Sequence, residues 1–176
     1  MEYIKRAPTP PDESDIQIRQ TVETILTDIE QNGEAAVLQY ASELDNWDGD
    51  VILSKEKRSE LIKEVPNQIC QDIKFAYKQI KTFAEAQRNS LQEFEIETEP
   101  GVRLGQRIVP VNCAGCYVPG GRYAHIASAL MSITTAKVAG VPLVITCSPP
   151  HEGSIHPAIV FAMDLAGADI ILELGG

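Results

Sequence analysis

Three nearly unbroken apolar runs constrain this 176-residue chain more than anything else in it. They occupy residues 111–118, 141–147 (VPLVITC) and 168–174. Two stretches rich in small apolar side chains separate them, residues 125–139, which end at Gly140, and residues 154–166, which end at Gly167. A strand that is apolar along its whole length has no face to give to water, and such strands belong to parallel sheets covered by their crossover helices. A glycine just past each helical stretch supplies a left-handed stop. The order strand–helix–strand–helix–strand therefore predicts an α/β architecture, half of a doubly wound, Rossmann-like parallel sheet, over residues 111–176. The last run is followed at once by Gly175-Gly176, where the pattern calls for a turn and a further helix. The expectation is an incomplete sheet, the N-terminal piece of a longer protein or a truncated product.

Upstream, the chain reads as a helical region over residues 1–92 and a β-hairpin over 93–110. Ile18, Val22, Ile25, Leu26 and Ile29 recur at helical spacing, and Asn32-Gly33 breaks that helix. A second helix carries Val37, Leu38, Tyr40 and Leu44. Residues 45–50 form a loop by composition, Ser54 caps a short helix to about Glu64, and Pro66 suits the first turn of a longer one. Ile69, Ile73, Ala76, Ile80 and Phe83 make a narrow stripe along that long helix, which suits an arm lying on a neighbouring domain or subunit. Glu93–Glu99 alternates, Pro100-Gly101 turns, and Val102–Val109 returns with Arg103 and Arg107 set to meet the glutamates.

Charge and hydropathy exclude some functions. Twenty-five acidic against fifteen basic side chains give a net charge of -10, the wrong field for a nucleic-acid surface. No apolar run approaches the ~20 residues that span a bilayer, and MEYIKRAPTPPDESD lacks a signal-peptide core. The expected setting is cytoplasmic, with no membrane partner. In that setting Cys70, Cys113, Cys116 and Cys147 are free thiols. Cys113-Ala-Gly-Cys116 is formally a C-x-x-C. It has no second ligand pair for zinc and lies in a strand instead of opening a helix, so structural thiols are the better reading.

The most specific stretch is Gly115-Cys-Tyr-Val-Pro-Gly-Gly-Arg-Tyr123. Ala-Ser-Ala-Leu-Met131, Thr-Ala-Lys-Val-Ala-Gly140 and Cys-Ser-Pro-Pro150 come after it. With Gly33-Glu-Ala-Ala-Val-Leu-Gln-Tyr40, Ile73-Lys-Phe-Ala-Tyr-Lys-Gln-Ile80 and Phe83-Ala-Glu-Ala-Gln87 upstream, it resembles the histidinol dehydrogenase family over nearly the whole chain. The resemblance implies a zinc-dependent, NAD-linked enzyme. Such an enzyme oxidises a primary alcohol to a carboxylate in two hydride transfers through an enzyme-held aldehyde. Arg122-Tyr-Ala-His-Ile-Ala-Ser128 looks closer to a paralogous group associated with sulfonated diols such as 2,3-dihydroxypropane-1-sulfonate than to enzymes of histidine biosynthesis. The family also implies an intertwined homodimer, and chains well over twice this length.

Carried over residue by residue, Tyr117 matches the family's NAD-contacting tyrosine. An aromatic ring with a hydroxyl at a strand's carboxyl end suits that role, although such a tyrosine also suits a core. Gly120 and Gly121 open the first strand-to-helix turn, where glycine admits either a close ligand or simply a tight turn. Arg122 has the chemistry to meet a phosphate or sulfonate. The family's zinc ligands and its Glu-His proton-transfer pair have no counterpart here, so no catalytic or metal residue is assigned. His125 reads as a surface or capping residue, and His151 with His156 makes a poor metal pair. Cys147 reads as a buried inert thiol. Two functions stay open: the N-terminal part of such a dehydrogenase, or a catalytically inactive homologue acting only as a dimerising module.

Overall fold

The computed structural model describes residues 12–120, 124–151 and 153–175. The chain divides between Asn46 and Trp47 into two compact units.

The first unit is a helical hairpin, α1 (Asp12–Asn32) and α2 (Glu34–Asp45), joined at Gly33. Ala36 and Ala41 are its buried positions, while Ile18, Val22 and Leu26 remain exposed. The Asp28 carboxylate beside the Tyr40 hydroxyl raises the phenol above its ordinary range.

The second unit carries α3 (Lys55–Glu64), α4 (Asn67–Ser90), β1 (Phe94–Glu99), β2 (Val102–Gln106), β3 (Cys113–Tyr117), α5 (Ile126–Val138), β4 (Leu143–Ser148), α6 (Pro157–Ala166) and β5 (Ile170–Glu173). Ser54 caps α3 as its sequence predicts, its hydroxyl accepting from the Lys57 amide at 3.1 Å. β1 and β2 pair antiparallel, with a bulge between Glu97 and Glu99 and an Arg103–Glu95 ion pair at 3.3 Å. Both faces of this hairpin are exposed. The strands of the main sheet are parallel in the order β3-β4-β5, so the expected α/β half-sheet is present.

Because the strands lie side by side in chain order, α5 and α6 fall next to each other, and α3 and α4 pack in turn on them. Helix α6 is buried almost all round, with Ala158, Ile159, Val160, Phe161, Ala162 and Met163 enclosed. It ends at Gly167, whose φ of 97° is the left-handed conformation that glycine adopts without strain.

As expected of an incomplete sheet, one face is open among the described residues. Cys116, Val144, Thr146 and Ile171 point into the core, whereas the alternate residues Cys113, Gly115, Tyr117, Ile145 and Leu172 are exposed or half-buried. The long stripe of α4 also divides. Ile73 and Ala84 are buried and Ile80 packs on the same core, but Ile69 and Phe83 face outward. The return strand stops at Gln106 and not Val109, because Ile108 gives its amide to the Glu93 carboxylate. Residues 51–53 run along the free edge of β5. There Leu53 N donates to Ile171 O at 2.9 Å and Glu173 N to Val51 O at 2.8 Å.

Asp169 opens β5 by gripping β4. Its amide donates to Val144 O at 2.9 Å, and its carboxylate accepts from Val144 N at 2.7 Å and from Lys137 Nζ at 2.5 Å. These donors hold the carboxyl below its usual range, the Lys137 hydrogen bond first and the Val144 amide second. A carboxylate depressed on folding stabilises above its unfolded pKa of about 3.9 and loses that contribution as pH falls through the native value. Asp169→Asn is expected to cost roughly 1 kcal/mol at pH 6, a modest figure because the side chain is partly solvated. Urea unfolding of both proteins should show the difference shrinking as pH drops below 4. A difference that stays constant would assign it to packing.

Candidate functional site at the carboxyl end of the sheet

In a doubly wound sheet, ligands meet the chain beyond the carboxyl ends of the strands. At that end β3 finishes in Tyr117, which pairs in register with Cys147 of β4 and is 49% exposed. Its position on β3 comes from alternation: Cys116 and Val118 turn inward to the core, so Tyr117 must turn to the open face. The aromatic ring is therefore at the surface and available, and the core reading of this tyrosine falls away.

Gly120 lies three residues later. A Cβ built there would lie 2.7 Å from Ser148 Oγ, 2.9 Å from Pro149 O and 3.0 Å from Pro149 Cγ. Glycine at this position lets the chain leaving β3 pass directly over the end of β4. The close neighbour is thus the protein's own Cys147-Ser148-Pro149 segment. Gly120→Ala is expected to push these segments apart at a cost of about 1–3 kcal/mol, because one neighbour is backbone that cannot rotate away. Thermal unfolding measures the loss, and an unchanged midpoint would show that the turn has slack. Gly121, Arg122 and Tyr123 lie outside the described residues.

Helix α5 begins beyond that turn. His125 is its N-cap residue but makes no side-chain capping bond to the first-turn amides of α5. Ser148 is completely buried beneath Gly120, and its hydroxyl has no partner among the described residues. Thr146 Oγ1, one pleat earlier on the same face, donates to Cys116 O at 2.9 Å.

Beside them, the Glu173 carboxylate at the end of β5 is 1% exposed. It accepts from Lys57 Nζ at 2.9 and 3.1 Å and from Ser154 Oγ at 2.5 Å. The Lys57 ammonium also stands 5.1 Å from the Trp47 ring centroid. Reasoning from sequence missed this buried charge. A glutamate ending a strand looks solvated, and its lysine lies 116 positions earlier.

The cysteines and histidines form no centre. Cys113 and Cys116 are three residues apart in a strand, so their side chains leave opposite faces, one exposed and one buried. Burial pushes the Cys116 thiol up, away from the thiolate form that binds metal or reacts. Cys147 is half-buried rather than buried. His151 is exposed, and His156 Nδ1 is taken up as the cap of α6, accepting from Ala158 N at 3.2 Å. Among the described residues no three His, Cys, Asp or Glu side chains converge on a point that would hold a metal ion, so they do not fit a zinc site.

The sequence model of the histidinol dehydrogenase family matches residues 9–176. Over 99% of its length the chain is 48% identical to a histidinol dehydrogenase homolog of Pelagibacter ubique, covering 41% of that protein. It is 47% identical over its whole length to a sulfopropanediol 3-dehydrogenase of Ruegeria pomeroyi, again covering 41%. To a histidinol dehydrogenase of Methanococcus maripaludis it is 40% identical over 89% of the chain and 37% of the relative. The crystal structure of histidinol dehydrogenase from Elizabethkingia anophelis superposes with a TM-score of 0.82 at 28% identity, over 98% of this chain and 39% of that one. The chain thus spans about two fifths of the length of these relatives.

Proposed function

The chain belongs to the histidinol dehydrogenase family, and on that premise we propose that it forms the N-terminal α/β part of an NAD-linked alcohol dehydrogenase. The reaction is oxidation of a primary alcohol through an aldehyde to a carboxylate. The higher identity to the sulfopropanediol 3-dehydrogenase than to the Methanococcus histidinol dehydrogenase favours a sulfonated diol over histidinol as the alcohol.

The observation that carries the reading is Tyr117, an exposed aromatic ring at the carboxyl end of β3, beside the Gly120 turn. When bound, NAD supplies the hydride acceptor. Around it, the Tyr117 ring packs against a cofactor ring and its hydroxyl donates or accepts one hydrogen bond. Gly120 lets the turn seat directly on Ser148 and Pro149. Gly121 is assigned to the same cofactor site from the family match alone. The amides at the start of α5, which the His125 side chain does not cap, favour the negative charge of a phosphate. Zinc is part of the family's chemistry, but the described residues offer no cradle for it, and none of these roles depends on it.

Saturation-transfer NMR of NAD at millimolar concentration tests the reading. Transfer to the cofactor is expected with the unaltered chain and should fall at least about tenfold in Tyr117→Ala, given the stacking and hydrogen bond lost. Tyr77→Phe, on α4, should leave it unchanged. Transfer that is absent, or equal in both variants, would remove Tyr117 from the cofactor site and favour the non-catalytic module.

The homodimer is part of the same proposal. Ile69, Phe75 and Phe83, 38%, 68% and 66% exposed, are large side chains that α4 leaves outward. A monodisperse monomer by light scattering at micromolar concentration would rule it out. No described helix is long and apolar enough to cross a membrane.

A further inference from the structure

The Gly120 turn rests on a connection that a buried charge holds in place. β4 ends at Ser148, and the chain then runs through Pro149 and Pro150 to Ser154 before α6 begins. The near end of this connection is set by strand pairing, because Ser148 stands in register with Glu173 of β5. The far end returns to the same residue. Ser154 Oγ donates to Glu173 Oε1 at 2.5 Å, and the Ile155 amide approaches that oxygen at 3.4 Å. His151 N donates to Ser154 O at 2.9 Å, which draws the connection back on itself. Glu173 thus meets the connection at both ends. Between them lies the Pro149 carbonyl, 2.9 Å from where a Cβ on Gly120 would stand.

Stability alone does not call for a carboxylate here. Ile171, the preceding inward residue of β5, is apolar, and a buried ion pair is often no more stabilising than well-packed apolar side chains of similar volume. What the pair adds is direction. Lys57 Nζ donates to Glu173 Oε2 at 2.9 Å and to Oε1 at 3.1 Å, and the Trp47 ring, 5.1 Å from the ammonium, flanks it. The lysine therefore orients the carboxylate, and the oriented carboxylate presents Oε1 to Ser154. Apolar side chains would fill the same volume without giving the connection a preferred place.

We infer that Lys57 and Glu173 are positioning residues for the cofactor crevice, an inference that rests on the reading of NAD beside Tyr117 and Gly120. They act through Ser154 and the Pro149 carbonyl, which set where the Gly120 turn sits, and they do not touch the cofactor themselves. A supporting group of this kind changes ligand affinity by moving the groups it holds.

The test separates affinity from stability in the full chain. NAD is titrated into labelled samples of the unaltered chain, Ser154→Ala, Lys57→Met and Lys57→Arg. The dissociation constant is read from the Tyr117 ring, and urea unfolding is measured on the same samples. Ser154→Ala leaves the ion pair whole, so its midpoint should move little, while NAD weakens about fivefold through loss of one hydrogen bond to a charged group. The same variant, before any NAD is added, should show displaced resonances at the His151 and Gly120 amides. Lys57→Met should weaken NAD about tenfold, and Lys57→Arg, which keeps a cation beside Glu173, should recover most of the affinity. If Lys57→Met does not fold, Ser154→Ala decides alone. An unchanged NAD affinity in the folded variants, with only the urea midpoint lowered, would overturn the inference and leave the pair a purely structural one. An unaltered chain whose Tyr117 ring does not respond to NAD would instead remove the cofactor reading. In that case the Gly120 amide of Ser154→Ala still reports on the positioning: displaced, it upholds the link from Glu173 to the turn, and unmoved, it overturns it.

Discussion

Ile73→Ala is expected to destabilise the second unit by about 3 kcal/mol, while Phe83→Ala, ten residues along the same helix, should change stability by less than ~0.5 kcal/mol. Ile73 is 3% exposed and packs in the core that α4 shares with α5 and α6, so truncating it leaves a cavity the surroundings cannot close. Phe83 faces outward, and removing it withdraws no buried surface from this chain. The pair thus reports which face of α4 docks. Urea unfolding of the two variants measures it. Equal losses would mean that α4 sits in the opposite rotation, or that Phe83 is buried by association.

Lys57→Met is expected to cost about 2–4 kcal/mol. The substitution keeps the aliphatic stem but leaves the Glu173 carboxylate buried without its counter-charge. Ser154 Oγ and the Ile155 amide remain as donors, and the ammonium is itself partly solvated, so the loss falls toward the lower part of that range. The double variant Lys57→Met with Glu173→Gln should recover most of the stability, because a neutral amide carries no buried charge. A double-mutant cycle by denaturant unfolding isolates the coupling. A cost for Lys57→Met below ~0.5 kcal/mol would show that water reaches Glu173.

Much of this fold is legible in the sequence because period and punctuation agree. The unbroken apolar runs, the small-residue helices and the glycines at 140 and 167 all point to one parallel arrangement, and β3, β4 and β5 pair in that order. The hairpin is legible for the same reason, from alternation and Pro100-Gly101. Where the reading of α4 strayed, the cause is alanine. The stripe through Ile69, Ile73, Ala76, Ile80 and Phe83 left out Ala84, which is buried while its neighbour Phe83 is exposed. Residues 51–53 were illegible because they gain β character only from the edge of β5, a contact about 120 positions away.

The site divides in the same way. Tyr117 and Gly120 stand out through their place at the end of β3 and their match to a family motif. The geometry adds that Tyr117 is open and that Gly120 is demanded by Ser148 and Pro149. The Lys57–Glu173 pair could not be read in advance. It is assembled from residues that look like ordinary solvated charge until a long-range contact brings them together.

Titration with NAD of a sample labelled in its backbone amides and tyrosine rings decides whether this chain meets the cofactor at Tyr117, at the carboxyl end of the sheet. Saturable shifts of the Tyr117 ring and of the Gly120 and Ser148 amides are expected, with the Tyr77 ring unmoved. Saturable shifts confined to residues away from the carboxyl end of the sheet, or none at Tyr117 up to saturating cofactor, would overturn that assignment.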